Sequence, residues 1–140
     1  MRQVAALPYR FAGGESGGAV EVLLVTSFRS RRWIIPKGNV DEGMSPQAAA
    51  AMEAQEEAGV SGSIGKHSIG SYCYEKFDDS VGVCQIEVDV YPLRVEIVMA
   101  HWPEMASRER QWLPSDEASL VISEPGLAAI VKSFSPDVIE

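Results

Sequence analysis

Three glutamates, Glu53, Glu56 and Glu57, follow the run Ala48-Ala49-Ala50-Ala51 in the stretch PKGNVDEGMSPQAAAAMEAQEEAGV. On a helix, residues three and four apart share a face, so this spacing brings three carboxylates together. Like charges at that spacing repel, and the C-terminal half of a helix is where the macrodipole disfavours anions. Ala54, Gln55 and Ala58, between and beside them, supply no counter-charge. A hard divalent cation would supply one, because Mg2+ takes carboxylate oxygens, keeps several waters and bridges protein to phosphate groups. The chemistry implied is metal-assisted attack of water at phosphorus, although the same cluster taken alone also fits a solvated helix face.

The glutamates need a helix to carry them, and the local signals provide one. Ser45 can accept a hydrogen bond from an orphan N–H of the first turn, and Pro46 lacks the N–H that would go unpaired there. The alanines propagate the helix and Gly59 suits a left-handed cap, so the pattern predicts a helix over 46–58. Before it, residues 3–11 and 20–27 read as strands of a hairpin joined by the glycine-rich segment 12–18. Residues 28–32 form a basic turn, and a short strand over 33–35 ends at Pro36-Lys37-Gly38.

After the helix, two β-rich stretches over 62–76 and 83–99 meet at the acidic turn 77–80. Residues 85–90 alternate polar and apolar as a half-exposed strand does, and Pro92 is expected to interrupt or bend the second stretch. Residues 100–108 read as a loop, 109–113 as a short strand, 114–122 as a short helix and 125–134 as a last helix with Leu127, Ile130, Val131 and Phe134 at helical spacing. Strands, one helix, more strands and then helices predict an α+β fold, a mixed β-sheet with helices packed on its faces as an α/β/α sandwich.

A chain of 140 residues with 46% hydrophobic content is expected to form one domain over 1–140. Its net charge of -8 argues against a general grip on duplex nucleic acid. Lacking an apolar stretch long enough for a signal peptide or a membrane span, the sequence predicts a cytoplasmic protein with no membrane partner. Cys73 and Cys84 have no metal-type spacing and read as buried reduced thiols. The choice between monomer and homodimer stays open.

The glycines and glutamates together resemble the signature of the Nudix hydrolases, Gly-x5-Glu-x7-Arg-Glu-U-x-Glu-Glu-x-Gly-U with U a bulky aliphatic. Gly38, Glu53, Glu56, Glu57, Gly59 and Val60 fall on its positions, which sets the box at 38–60. Met44 stands where the first glutamate belongs and Met52 where the arginine belongs, and Ala54 is smaller than the usual aliphatic. The family arginine is taken to orient and neutralise the glutamates after it, so Met52 implies a more negative, less tethered cluster. Asp41 and Glu42 lie close in the same loop as stand-ins for Met44. Arg32-Trp33-Ile34-Ile35-Pro36-Lys37-Gly38 before the box and Arg108-Glu109-Arg110-Gln111-Trp112-Leu113 after it look like the diphosphoinositol polyphosphate and diadenosine polyphosphate branch.

The resemblance implies a Nudix-like mixed sheet and a Mg2+-dependent hydrolase, with Mn2+ as a substitute, acting on a phosphorylated small molecule. The substrate would be a nucleoside or polyol diphosphate linked to X. Gly38, Glu53, Glu56 and Glu57 are the expected metal-holding positions, and the three glutamates the expected catalytic ones. Arg10, Arg32, Lys37, Arg108 and Arg110 are expected to form a phosphate-binding rim, since guanidinium forks donate two hydrogen bonds at once. His101 and Glu104, in the 100–108 loop, are secondary candidates for a base or a substrate contact. The alternative is a Nudix-fold binding module that reads a phosphorylated ligand without cleaving it.

Overall fold

The structure, a computed structural model, describes residues 2–14 and 18–136. Part of the expected 12–18 loop and the two extreme ends of the expected domain therefore lie outside the described residues. Alternate side chains of β1 (Arg2–Phe11) point to opposite sides of a sheet, as strand geometry requires, and both sides are covered. Ala5, Leu7, Tyr9 and Phe11 join one core cluster, while Val4 and Ala6 join the other. The second strand, β2 (Val20–Thr26), divides in the same way, with Val22 and Leu24 parted from Leu23 and Val25.

The remaining strands are β3 (Trp33–Ile34), β4 (Lys37–Gly38), β5 (Val60–Ile64), β6 (Gly70–Asp78), β7 (Gly82–Val98) and β8 (Arg110–Pro114). They form one mixed sheet ordered β3-β2-β1-β7-β5, with β4 on β1, β6 on β7 and β8 on β2. The parallel pair β1–β7 is its centre. The expected β1–β2 hairpin is present but short, pairing Tyr9, Arg10 and Phe11 with Val22, Glu21 and Val20. Further along, the two strands part and β4 takes the vacated edge of β1, pairing Lys37 and Gly38 with Ala5 and Val4.

Two strand expectations change. The stretch over 62–76 is two strands, because β7 is long enough to pair with β6 over 82–90 and then β5 over 93–98 along one edge. Pro92 does not interrupt β7. It falls between those two partners, where its carbonyl accepts from Gly65 N at 2.8 Å and no N–H is required of it. Cys73 and Cys84 are free as expected, but Cys73 is exposed and Cys84 only half-buried, since residues 73–78 belong to an outer strand of the sheet.

The helices α1 (Pro46–Glu53), α2 (Ser115–Val121) and α3 (Pro125–Ser133) cover the faces. On one face, α1 and the turn that continues it bring Ala49, Ala50, Ala54 and Ala58 against Leu23, Val25 and Leu93, and the small side chains let the helix sit close. On the other, Ala118, Leu127 and Val131 pack over Leu24, Val88 and Val90. This is the expected sandwich.

Candidate active site

The helix that carries the glutamates begins as its caps dictate. Ser45 Oγ accepts from Ala48 N at 3.0 Å and Pro46 opens the first turn. After Glu53 it changes character, because Ala54–Ala58 form a π turn that ends at Gly59, which is left-handed at φ 67° and donates its N–H to Ala54 and Gln55 carbonyls. A turn that closes from i to i+5 holds more residues than an α turn, so i and i+4 stay neighbours while i+3 swings aside. Glu53 and Glu57 accordingly both turn to the Lys37–Gly38 backbone. Glu56, half-exposed, acts on Glu53 through its charge. Among the described residues no three Asp, Glu, His or Cys groups are preassembled as a metal cage.

Glu57 is 6% exposed. Its Oε1 accepts from Lys37 N at 3.2 Å, and its Oε2 lies 3.5 Å from Arg108 Nη2. Burial pushes its carboxyl up to about 8, against the pull of Arg108 and with the further push of the Glu53 charge. Burial and the charge of Glu56 also raise Glu53. Burial and neighbouring like charge thus favour a proton on these carboxyls where a cation would otherwise balance them. Glu53 leans on Gly38, where a methyl group would overlap its carboxylate. Hard oxygen donors, a buried excess of negative charge and a bare backbone beside them fit a divalent cation of the Mg2+ type.

The five expected rim residues are divided by the structure. Lys37 Nζ lies 4.6 Å over the Tyr74 ring, and burial lowers its pKa while Glu57 opposes that shift. Lys37 and Arg32 line a cavity of about 520 Å3 together with Arg29 and Lys76 and the aromatic Trp33, Tyr72, Tyr74 and Phe77. Arg10 is elsewhere, paired with Glu21 at 2.8 Å and stacked on Trp112. Arg110 gives its donors to the Ala58 and Met99 carbonyls and stacks on Trp102 at 3.8 Å, so it holds the end of the π turn. Arg108, with a 7% exposed side chain, bonds Glu104 Oε1 at 2.7 Å as well as facing Glu57. Of the five, Arg32 and Lys37 are the ones that line that cavity.

Among the neighbours, Trp102, Tyr72 and Tyr74 had no sequence signal of their own. Trp102 Nε1 donates to the Glu57 carbonyl at 3.1 Å, and Glu104 N to the Glu56 carbonyl at 3.1 Å, so the 100–108 loop clamps the π turn. Its other candidate, His101, is exposed. Met44 packs against the α1 core cluster, while Asp41 and Glu42 stay exposed on the loop before it. Tyr72 and Tyr74 reach the cavity from β6, a strand the box does not include.

The family model for the NUDIX domain matches residues 1–137. The chain is 31% identical over 139 residues to Nudix hydrolase 16, mitochondrial, of Arabidopsis thaliana, covering 91% of this chain and 76% of that one. It is 35% identical over 105 residues to diphosphoinositol polyphosphate phosphohydrolase 3-beta of Bos taurus, covering 73% and 60%. The chain spans 63% of Nudix hydrolase 4 of Arabidopsis thaliana, so with the bovine protein it matches less than two thirds of these relatives' length. The C. elegans Ap4A hydrolase has the same fold, with TM-score 0.64 at 18% identity over 98% of this chain and 97% of that one. A Bacillus halodurans MutT protein superposes with TM-score 0.67 at 19% identity over 99% and 92%. The chain belongs to the Nudix family. Among the described residues no helix is long and apolar enough to cross a membrane.

Proposed function

We propose that the protein is a Mg2+-dependent hydrolase of phosphoanhydride bonds in a nucleoside or polyol diphosphate linked to X, with dinucleoside polyphosphates ahead of diphosphoinositol polyphosphates. The observation that carries this reading is the convergence of the Glu53 and Glu57 carboxylates on the Lys37–Gly38 backbone, with Lys37 also lining the cationic cavity. Glu53, Glu56 and Glu57, with the Gly38 backbone, are the groups that would hold the cation. When bound, it neutralises the diphosphate and makes water a stronger acid.

The other steps belong to the chain. Arg32 and Lys37 bind phosphate oxygens and counter the charge that spreads over them as the anhydride bond breaks. Glu56, half-exposed beside Glu53 and the buried Glu57, accepts the proton of the attacking water. The aromatic faces of Trp33, Tyr74 and Phe77 offer stacking to a nucleobase, which a bare polyol cannot use. Other Nudix proteins carry related ligands; a cocrystal of the Shewanella oneidensis NrtR Nudix domain holds ADP-ribose.

A binding module is favoured by one observation, the apolar Met44 packed into the α1 core where the family box has a carboxylate. Purified protein assayed with and without Mg2+ against dinucleoside polyphosphates, diphosphoinositol polyphosphates and nucleotide sugars separates the two. Metal-dependent turnover that Glu57→Gln abolishes supports the hydrolase. Tight binding with intact ligand after hours in Mg2+ refutes it in favour of the module.

A further inference from the structure

The segment Pro46–Ala58 carries three glutamates and not one Lys or Arg. Position 52, about one turn before Glu56 and Glu57, is a half-buried Met. A buried carboxylate without a partner is costly, so the charge must be answered from elsewhere in the fold. Arg108 answers it from 51 residues downstream, with Nη2 3.5 Å from Glu57 Oε2.

Four contacts hold that guanidinium in place. Nε donates to Glu104 Oε1 at 2.7 Å, Nη1 donates to the Thr26 carbonyl at 2.9 Å, and the plane stacks on Phe28 at 4.0 Å. The fourth is the approach to Glu57. Its two anchors are themselves fixed: Thr26 exchanges bonds with Glu109 through N and Oγ1, and Glu104 N donates to the Glu56 carbonyl. The guanidinium is therefore tied at once to the end of β2, to the clamp loop and to the π turn. A planar fork so held sets the direction of the carboxylate it faces.

We propose that Arg108 is a positioning residue of this site: supplied in space by the 100–108 loop, it takes the place of the cation missing at position 52 and orients Glu57 toward the bound metal. This rests on the hydrolase reading above for the metal, but not on turnover. Arg108 is thereby withdrawn from the phosphate rim and acts on the reaction through Glu57.

The test uses the full chain with Arg108→Met, Arg108→Lys and the double variant Met52→Arg/Arg108→Met. Mn2+ affinity is read by electron paramagnetic resonance without substrate, thermal unfolding in EDTA checks folding, and kcat and KM are measured with a dinucleoside tetraphosphate and Mg2+. Groups that orient metal ligands are typically worth about 10–100-fold in affinity or activity. Arg108→Met is expected to lose that much in Mn2+ affinity and in kcat with KM little changed, Arg108→Lys less, and the double variant to recover most of the loss. Mn2+ binding that is unchanged or tighter in Arg108→Met overturns the proposal, since the guanidinium would then only compete with the metal.

A raised KM at constant kcat also overturns it, by returning Arg108 to the phosphate rim. Should Arg108→Met unfold, Arg108→Lys keeps the charge and the bulk, and its Mn2+ affinity equal to that of wild type refutes the role of the fork. If wild type cleaves no substrate yet Arg108→Met weakens Mn2+ and Met52→Arg restores it, the hydrolase reading fails while the positioning role stands.

Discussion

Glu57→Gln should stabilise the metal-free protein at high pH and do nothing for it at low pH. The Glu57 carboxyl, ordinarily near 4.5, is pushed up to about 8 in the fold, chiefly by burial. The folded protein therefore holds this proton more tightly than the unfolded chain does. That preference stabilises fully below about 4.5 and is lost as pH rises through about 8. At about 1.4 kcal/mol per unit of pKa difference, the loss between those limits is on the order of 3 to 5 kcal/mol. Glutamine has the same shape and never ionises, so it escapes the loss. With roughly 3 °C of melting temperature per kcal/mol for a domain of this size, Glu57→Gln in EDTA should melt about 10 °C above wild type at pH 9 and level with it at pH 5. Mg2+ should reverse the order at pH 8, because it raises the melting point of wild type by binding the folded state and has lost a ligand in the variant. Thermal unfolding followed by circular dichroism from pH 5 to 9, with and without Mg2+, measures this. Glu57→Gln melting below wild type in EDTA at every pH would refute the burial account of Glu57.

Two backbone positions give independent checks. Gly38→Ala sets a methyl group into the Glu53 carboxylate and should weaken Mn2+ binding by about 10–100-fold, with the melting point in EDTA nearly unchanged; equal Mn2+ affinity would remove Glu53 from the metal-holding set. Gly59→Ala must adopt φ near 67° and brings a Cβ within 2.8 Å of Trp102 and Arg110 Nη1, so it should destabilise the fold by about 1–3 kcal/mol or more, read as a lowered urea midpoint with unchanged slope.

What the sequence made legible is what short spacing encodes. Ser45-Pro46, the alanines and Gly59 state a helix start, its propagation and its stop within fifteen residues, and the glutamates repeat within five. The core division of β1 and β2 is likewise written in alternate residues. The π turn is invisible at that range, since Ala54-Gln55-Glu56-Glu57-Ala58 suits an α turn equally well; only the cap bonds of Gly59 and the clamp by Trp102 and Glu104 distinguish the two. Pairing of β1 with β7 joins residues 85 apart, and β4 has only two residues, too few for a period to show.

The arginines show the same limit from the side of function. Arg10, Arg32, Arg108 and Arg110 are one residue type with one expected role, and composition cannot sort them. Their partners do: Glu21 and Trp112 for the first, an open cavity for the second, two carboxylates for the third and backbone carbonyls for the fourth. Arg108 and Arg110 place their donors on the groups around the π turn, while Arg32 lines the open cavity. The methionine at 52 therefore does not leave the glutamates without a counter-charge. It moves the requirement from a helix neighbour to a loop, and ties the geometry of Glu57 to the 100–108 segment.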